Sequence, residues 1–336
     1  MSASWKPFIR TGCVAGVCAA ATLAGEWASV RAAQGSAPAG RAVATPEVLH
    51  VQGAVHLVDA AGTNVVVQVG QVGAVVVDPG PEAQGALVRD AVRRLSTTPI
   101  RFLINTHFDP DHTGANEVLA ASGAGLGSRN VATVGSGQLG RPEIVAHQHV
   151  LDTMSGDSRV PAGAWPTATF SLDEKSIFMN GEAIQIVHQP AAHSDGDSLV
   201  FFRRSDVIAA GDLYSTESYP IIDAGRGGTI AGVLAALNRL LALAVSGEKV
   251  EGGTLIVPGH GRISDEADLV EYRDMTTIIR DRVQDMVNRG LTLAQVQAAK
   301  PTMEYDGLFG CAPGWSSGQF VEAVYRGLAP SKETRK

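Results

Sequence analysis

Short β-branched runs alternate along the chain with longer stretches of helical spacing. Leu49 to Val58 alternates apolar with polar positions and predicts a strand. Asn64 to Gly70 and Val72 to Asp78 are two valine-rich runs around Gly70 and Gly73, the pattern of a hairpin. Pro81 to Leu95 places Leu87, Val88, Ala91, Val92 and Leu95 on one helical face. Ile100 to Ile104 predicts a buried strand, Ala115 to Ala121 a short helix, Asn130 to Val134 a strand and Pro142 to Met154 a helix. On such a helix His147 and His149, two positions apart, would point in different directions. Ser155 to Pro166 predicts a loop or flap. Thr167 to His188 alternates on both sides of Asn180-Gly181, a hairpin signal.

Further on, Ser198 to Phe202 and Val207 to Ala210 predict strands, the second ending at Gly211-Asp212. Leu255-Ile-Val leads into Pro258-Gly-His260. Helical spacing covers Thr229 to Leu243, Glu266 to Asn288, Leu291 to Ala299 and Gly318 to Gly327. The order falls into two halves, each strand-rich and then helical, joined within 155–180.

The start of the chain differs from the rest. Lys6 and Arg10 precede a small-residue apolar run from Cys13 to Gly25, which is too short to span a bilayer. Val30-Arg31-Ala32 follows as a cleavage signal, so residues 1–33 read as a secretory signal peptide. Residues 34–46 are a small-residue, Pro-containing flexible lead-in, and 47–330 form the main domain. Cleavage removes Cys13 and Cys18, leaving Cys311 without an internal disulfide partner. It also removes Lys6, Arg10, Arg31 and Glu26, moving the formal charge from −7 to −9. An acidic chain without a basic cluster argues against nucleic acid, and against membranes beyond the signal peptide. The expected location is periplasmic or secreted, and the expected partner a small-molecule substrate. Oligomeric state leaves no signal.

One stretch carries most of the chemistry: Asn105-Thr-His107-Phe-Asp109-Pro-Asp111-His112-Thr-Gly114. Two imidazoles and two carboxylates lie within six positions at the mouth of a strand, and Pro110 and Gly114 oppose a simple helix. This is metal-ligand chemistry. Three later positions repeat the arrangement of a polar group after an apolar run: His193, Asp212 and His260. Gathered at one sheet edge, they share a cleft. Asp78 closes a buried strand, either as a plain turn former or as a holder of loop amides.

The set resembles the metallo-β-lactamase superfamily. The matching pieces are the strand ending at Asp78, the Thr-His-x-x-x-Asp-His block, His193, Gly211-Asp212 and Pro258-Gly-His260, over roughly 47–265. The resemblance implies an α/β fold, a four-layer αββα sandwich of two mixed sheets with helices outside. It implies two metal ions, zinc foremost, with His107, Asp109 and His193 on the first, Asp111, His112 and His260 on the second, and Asp212 bridging. It implies a metal-bound hydroxide that cleaves an ester, thioester, lactone or amide bond, β-lactams included. Asp111 would orient that hydroxide and take its proton. Asn105 and Tyr214 are candidate oxyanion groups, against readings as a strand-end cap and a packed tyrosine. Aspartate rather than cysteine at 212 is closer to the hydroxyacylglutathione-hydrolase branch than to the best-known β-lactamases.

One position departs from the family pattern. The usual His-x-His-x-Asp-His block has Asp109 at its second histidine. A carboxylate is a harder, anionic ligand and opens the site to manganese or iron. The alternatives are an iron-binding redox or metal-binding protein, as in flavodiiron relatives that carry a carboxylate here, and a metal-dead scaffold. The substrate loops are expected at 155–170 and 214–228.

Overall fold

Valine-rich runs that alternate between two apolar environments build the framework. In this computed structural model, residues 46–125, 140–310 and 312–329 are described. The signal peptide, almost all of the lead-in, the strand expected at 130–134 and Cys311 lie outside them.

The first half carries β1 (Val48–Gln52), β2 (Val55–Ala60), β3 (Thr63–Val69), β4 (Ala74–Val77), β5 (Ile100–Ile104), β6 (Glu143–His147) and β7 (Ala168–Phe170). The second half carries β8 (Glu174–Met179), β9 (Glu182–His188), β10 (Ser198–Phe202), β11 (Val207–Ser215) and β12 (Leu255–His260). The hydrogen-bonded order is β7-β6-β5-β4-β3-β12-β11-β10-β9-β8, with β2 and then β1 attached to β3. Between the halves, β3 and β12 meet at one residue pair, Thr63 with His260. The chain crosses from one half to the other at 171–173, inside the expected window.

Three apolar cores separate four layers. Odd residues of β3 (Val65, Val67) face outward with Val76, Leu103 and Ile144, under α1 (Gly85–Leu95) and α3 (Asn116–Ala120). Even-numbered Val66 faces inward with Val77 and Ile104, and meets Ile184, Phe202, Ala209 and Val257 of the other sheet. On the far side, Leu199, Phe201, Ile208 and Ile256 are covered by α5 (Ile230–Leu243), α6 (Glu266–Asn288) and α9 (Ser317–Leu328). The central strands therefore bury both faces, the αββα sandwich, while the edge strands β1 and β8 leave one face exposed. Among the described residues, no helix is long and apolar enough to cross a membrane.

Several expectations change. Leu49 to Val58 is not one strand but β1 and β2, turned at Gly53-Ala54. Pro142 to Met154 is not one helix. Its first half is β6, which pairs with β5 inside the sheet, and only α4 (Gln148–Gly156) is helical. Sheet pairing overrides local propensity there. Pro110 starts a single helical turn, α2 (Pro110–Thr113), rather than preventing one, because proline suits the first helical position. The Asn180-Gly181 hairpin forms as expected, with both residues at positive φ, 53° and 80°. Short helices α7 (Leu293–Ala298) and α8 (Asp306–Phe309) precede α9.

Candidate metal centre

The site lies where the two half-sheets join. The loop after β5 supplies His107 and Asp109, the turn of α2 supplies Asp111 and His112, and the β9–β10 connection supplies His193. Asp212 is not at a strand end, because β11 continues to Ser215. Instead the register of β11 against β12 shifts on both sides of Gly211, and this irregularity turns Asp212 into the site. Two glycines allow the approach. Gly211 has φ of 51°, and a Cβ there would strike Thr106 Oγ1. A Cβ on Gly259 would strike Asp212 Oδ1.

Two groups of ligand atoms converge. In the first, Asp109 Oδ2 is 3.3 Å from His193 Nε2 and 3.8 Å from His107 Nε2, and Asp212 Oδ2 is 3.7 Å from His107 Nε2. In the second, His260 Nε2 is 3.2 Å from Asp111 Oδ2 and 3.3 Å from His112 Nε2. Asp212 Oδ1 lies 3.3 Å from His112 Nε2 and 3.6 Å from His260 Nε2. Metal–ligand bonds of about 2.0–2.1 Å set tetrahedral ligand separations near ~3.3 Å. The donor sets have the spacing of metal ligands, and Asp212 faces both. His107 Nε2, His193 Nε2 and Asp212 Oδ1 are buried without a hydrogen-bond partner among the described residues, as ligand atoms would be.

Every ring is aimed by its other nitrogen. His107 Nδ1 contacts Thr106 Oγ1 at 2.9 Å, and His112 Nδ1 contacts Asp78 Oδ2 at 3.1 Å. His193 Nδ1 donates to the Ile221 carbonyl at 3.1 Å, and His260 Nδ1 to the Gly62 carbonyl at 2.9 Å. Each Nε2 is thereby turned to the centre, the outer-shell arrangement of metal-binding histidines. Asp78 also accepts the Thr106 amide at 2.8 Å and its hydroxyl at 2.6 Å. It is the holder of loop amides, at a φ of 51°.

Mutual electrostatics within the cluster shift its groups in opposite directions. Burial opposes charge on His193, but Asp109, Asp197 and Asp212 push it up to about 10. Burial is likewise outweighed at His112, which Asp212 and Asp78 hold well above the usual imidazole value. Asp212 stays well below the carboxylate range despite burial, through His112, His107 and His260. His107 goes the other way, to about 4, from burial and the neighbouring His112 and His193.

Two sequence candidates do not reach the centre. Tyr214 is packed in the core against Tyr272, and its hydroxyl donates to Ser264 Oγ at 3.0 Å. It is the packed tyrosine, not an oxyanion donor. Asn105 is fully buried and forms a reciprocal amide pair with Asn116, at 3.1 and 2.9 Å, so it braces the loop. His147 and His149 do not diverge, because they straddle the β6–α4 junction, and they meet His188.

The sequence gives little sign of Thr106, the Gly62 and Ile221 carbonyls, or Arg226. Arg226 stacks 3.9 Å over the Phe108 ring, pairs with Asp223 at 2.9 Å and stands 3.9 Å from Asp109 Oδ1. Its one signal is a lone cation in the loop Asp223-Ala-Gly-Arg226-Gly-Gly. Phe108 in turn packs on Val150, Met154, Ala164, Val160 and Trp165, so the 155–170 segment supports this wall.

An αββα sandwich with paired His/Asp groups at the sheet junction defines a metal-binding scaffold. Residues 58–260 match the metallo-beta-lactamase superfamily, and the chain belongs to it. Comparison with curated protein sequences finds no match. Among solved structures, a metallo-beta-lactamase from Pontibacter korlensis aligns with a TM-score of 0.52 at 15% identity, over 69% of this chain and 99% of that one. The DIM-1 metallo-beta-lactamase gives 0.52 and 15%, over 70% and 98%. The stereoselective inverting sec-alkylsulfatase Pisa1 from Pseudomonas sp. gives 0.58 and 15%, over 86% of this chain and 52% of that one. At these identities the likeness is one of fold.

Proposed function

We propose that the chain is an exported, periplasmic or secreted hydrolase that uses two divalent ions, zinc foremost, to open an ester, thioester, lactone or amide bond, β-lactams included. Asp212 carries this reading, with one carboxylate oxygen facing each ligand group. His107, Asp109 and His193 would hold one ion, and Asp111, His112 and His260 the other. Bound there, the ions would polarise the scissile carbonyl and lower the pKa of water from about 15.7 towards 7.

The chain's own groups do the rest. Asp111, half exposed beside His260, orients the attacking water and accepts its proton. His260 and His112 hold this carboxyl below the usual range against burial, so it is ionised and able to accept a hydrogen bond from that water. Arg226, at the mouth, binds an anionic group of the substrate. Asp109 favours a second reading of the metal: its carboxylate suits manganese or iron better than imidazole does. Iron bound with a redox signature, and no turnover, would replace the hydrolase reading.

The test is a panel of nitrocefin, thioester, lactone, phosphodiester and secondary alkyl sulfate substrates. Each is run on metal-depleted protein reloaded with zinc, manganese or iron. Turnover of at least one substrate that stops on chelation is expected. Inertness towards every substrate with every metal sinks the proposal.

A further inference from the structure

A second cluster of bases lies apart from the metal centre. His147 ends β6, His149 sits in the first turn of α4, and His188 ends β9. One ring nitrogen from each lies within 4.8 Å of the other two. The His147 and His188 rings stack with centroids 3.7 Å apart and planes 7° from parallel. His149 stands edge-on to His147 at 4.7 Å.

The hydrogen bonds fix which nitrogens are free. His188 Nε2 is 2.8 Å, and His149 Nδ1 3.0 Å, from the same carbonyl oxygen, that of Asp195. A carbonyl only accepts, so both nitrogens carry hydrogen. In the neutral tautomer, His188 Nδ1 and His149 Nε2 are then the nitrogens that carry the lone pairs. His147 Nδ1 takes the His149 amide at 3.4 Å, a long bond that engages its lone pair weakly. Burial, then the neighbouring imidazoles, bring His147 down to about 4, and burial lowers His188, so both rings are uncharged at pH 7.

Packing alone is the plain alternative, and Phe170, edge-on to His147 at 5.3 Å, closes an apolar side. It leaves unexplained why three imidazoles converge while one carbonyl sets the tautomers of two of them. A carbonyl acceptor on one ring nitrogen, as on His149 and His188, is also how metal-binding histidines are held by their outer shell. We propose that His147, His149 and His188 form a separate mononuclear site for a borderline divalent cation, of the Zn2+ or Cu2+ type, with its remaining positions open to solvent. Imidazole suits these ions. An imidazole binds along its ring plane, so the stacked rings must turn apart on binding. His149, with 45% of its side chain exposed, is the ring with most room to move, at the cost of its contacts to Asp195. The Asp195 amide also donates to the Arg226 carbonyl at 2.9 Å. An ion here would stiffen the segment between His193 and that arginine.

The test separates this site from the main one. Full-length Asp212→Ala protein, which lacks the shared ligand of the main centre, is stripped of metal and dialysed against micromolar Zn2+. It is compared with Asp212→Ala/His149→Gln and Asp212→Ala/His188→Gln, and bound zinc is counted by mass spectrometry. Both double variants are expected to hold one equivalent less than Asp212→Ala. Loaded with Cu2+, Asp212→Ala should show nitrogen hyperfine splitting in electron paramagnetic resonance that weakens in the His149→Gln background. His149 is exposed, so this variant tests the site without removing buried packing. Equal zinc content in Asp212→Ala and Asp212→Ala/His149→Gln overturns the proposal.

Discussion

The Nε2 atoms of His112 and His260 face each other at 3.3 Å. The other nitrogen of each ring is bound to an acceptor, the Asp78 carboxylate for His112 and the Gly62 carbonyl for His260. Both Nδ1 atoms therefore carry hydrogen, and in the neutral rings both Nε2 atoms present lone pairs to each other. Two lone pairs at that distance repel unless a cation lies between them. A proton can serve in the metal-free protein, and a divalent ion serves better because Asp111 and Asp212 also face the gap.

Metal uptake should therefore release protons. His193 sits at about 10 and His112 well above the usual imidazole value, so both are protonated at pH 7 in the metal-free protein. Ligation requires the neutral ring. The sign is fixed: zinc affinity rises with pH until these folded-state values are passed. At pH 7, loading should release about two protons per chain, read with an indicator dye in weak buffer. Zinc binding without proton release would contradict the assignment of His112 and His193 as ligands.

Asp78 acts through His112. Asp78→Ala removes the acceptor that fixes this ring's tautomer and frees the Thr106 amide and hydroxyl. Loss of an outer-shell partner costs about 10–100-fold in metal affinity. Competition against a zinc chelator should show a loss of that size. Unchanged affinity would make Asp78 a turn former only.

Much of this centre was legible because ligand chemistry is dense and local. His107, Asp109, Asp111 and His112 lie within six positions, and His193, Asp212 and His260 each follow an apolar run. The sandwich was legible for a similar reason, since Val65, Val66 and Val67 already show that both faces of β3 are buried. What the chain hides is set by tertiary geometry. Nothing near Tyr214 says that its hydroxyl will find Ser264, 50 residues on. The helical look of 142–154 yields to sheet pairing with β5, and that shift is what brings His147 and His149 together with His188. Carbonyl acceptors such as Gly62 and Ile221 leave no mark in side-chain identity.

Tyr214→Phe separates packing from chemistry. The lost bond to Ser264 is buried, and a bond of this kind contributes about 0.5–1.5 kcal/mol. Thermal unfolding should show a loss in that range, while turnover on any active substrate stays within about twofold, under ~0.5 kcal/mol of barrier. A large fall in kcat would restore Tyr214 to the reaction.

Asp109→His tests the departure from the family block. Asp109 Oδ2 reaches both His107 and His193, so the short side chain does not fall out of range. The substitution should keep metal binding and shift metal preference further towards zinc, with less manganese or iron retained, since imidazole is the softer ligand. Metal content after growth in mixed-metal medium reads this directly. Unchanged content and preference would remove Asp109 from the ligand set.

Arg226 stands where a substrate anion would enter, and its position is fixed by three contacts rather than one. Its guanidinium lies over Phe108 at 3.9 Å, pairs with Asp223 at 2.9 Å and faces Asp109 Oδ1 at 3.9 Å. The 42% exposure of its side chain leaves donors for a ligand. A hydrogen bond from a charged group is worth about 1.5–3 kcal/mol, or roughly 10- to 150-fold. Arg226→Ala should raise KM for a carboxylate- or sulfate-bearing substrate within that range and leave KM for its neutral ester analogue nearly unchanged. A fall in kcat for both, with KM unmoved, would place Arg226 in support of Asp109 instead. The guanidinium opposes part of the Asp109 charge, so in that case zinc affinity should shift as well, whereas a pure substrate anchor leaves it alone.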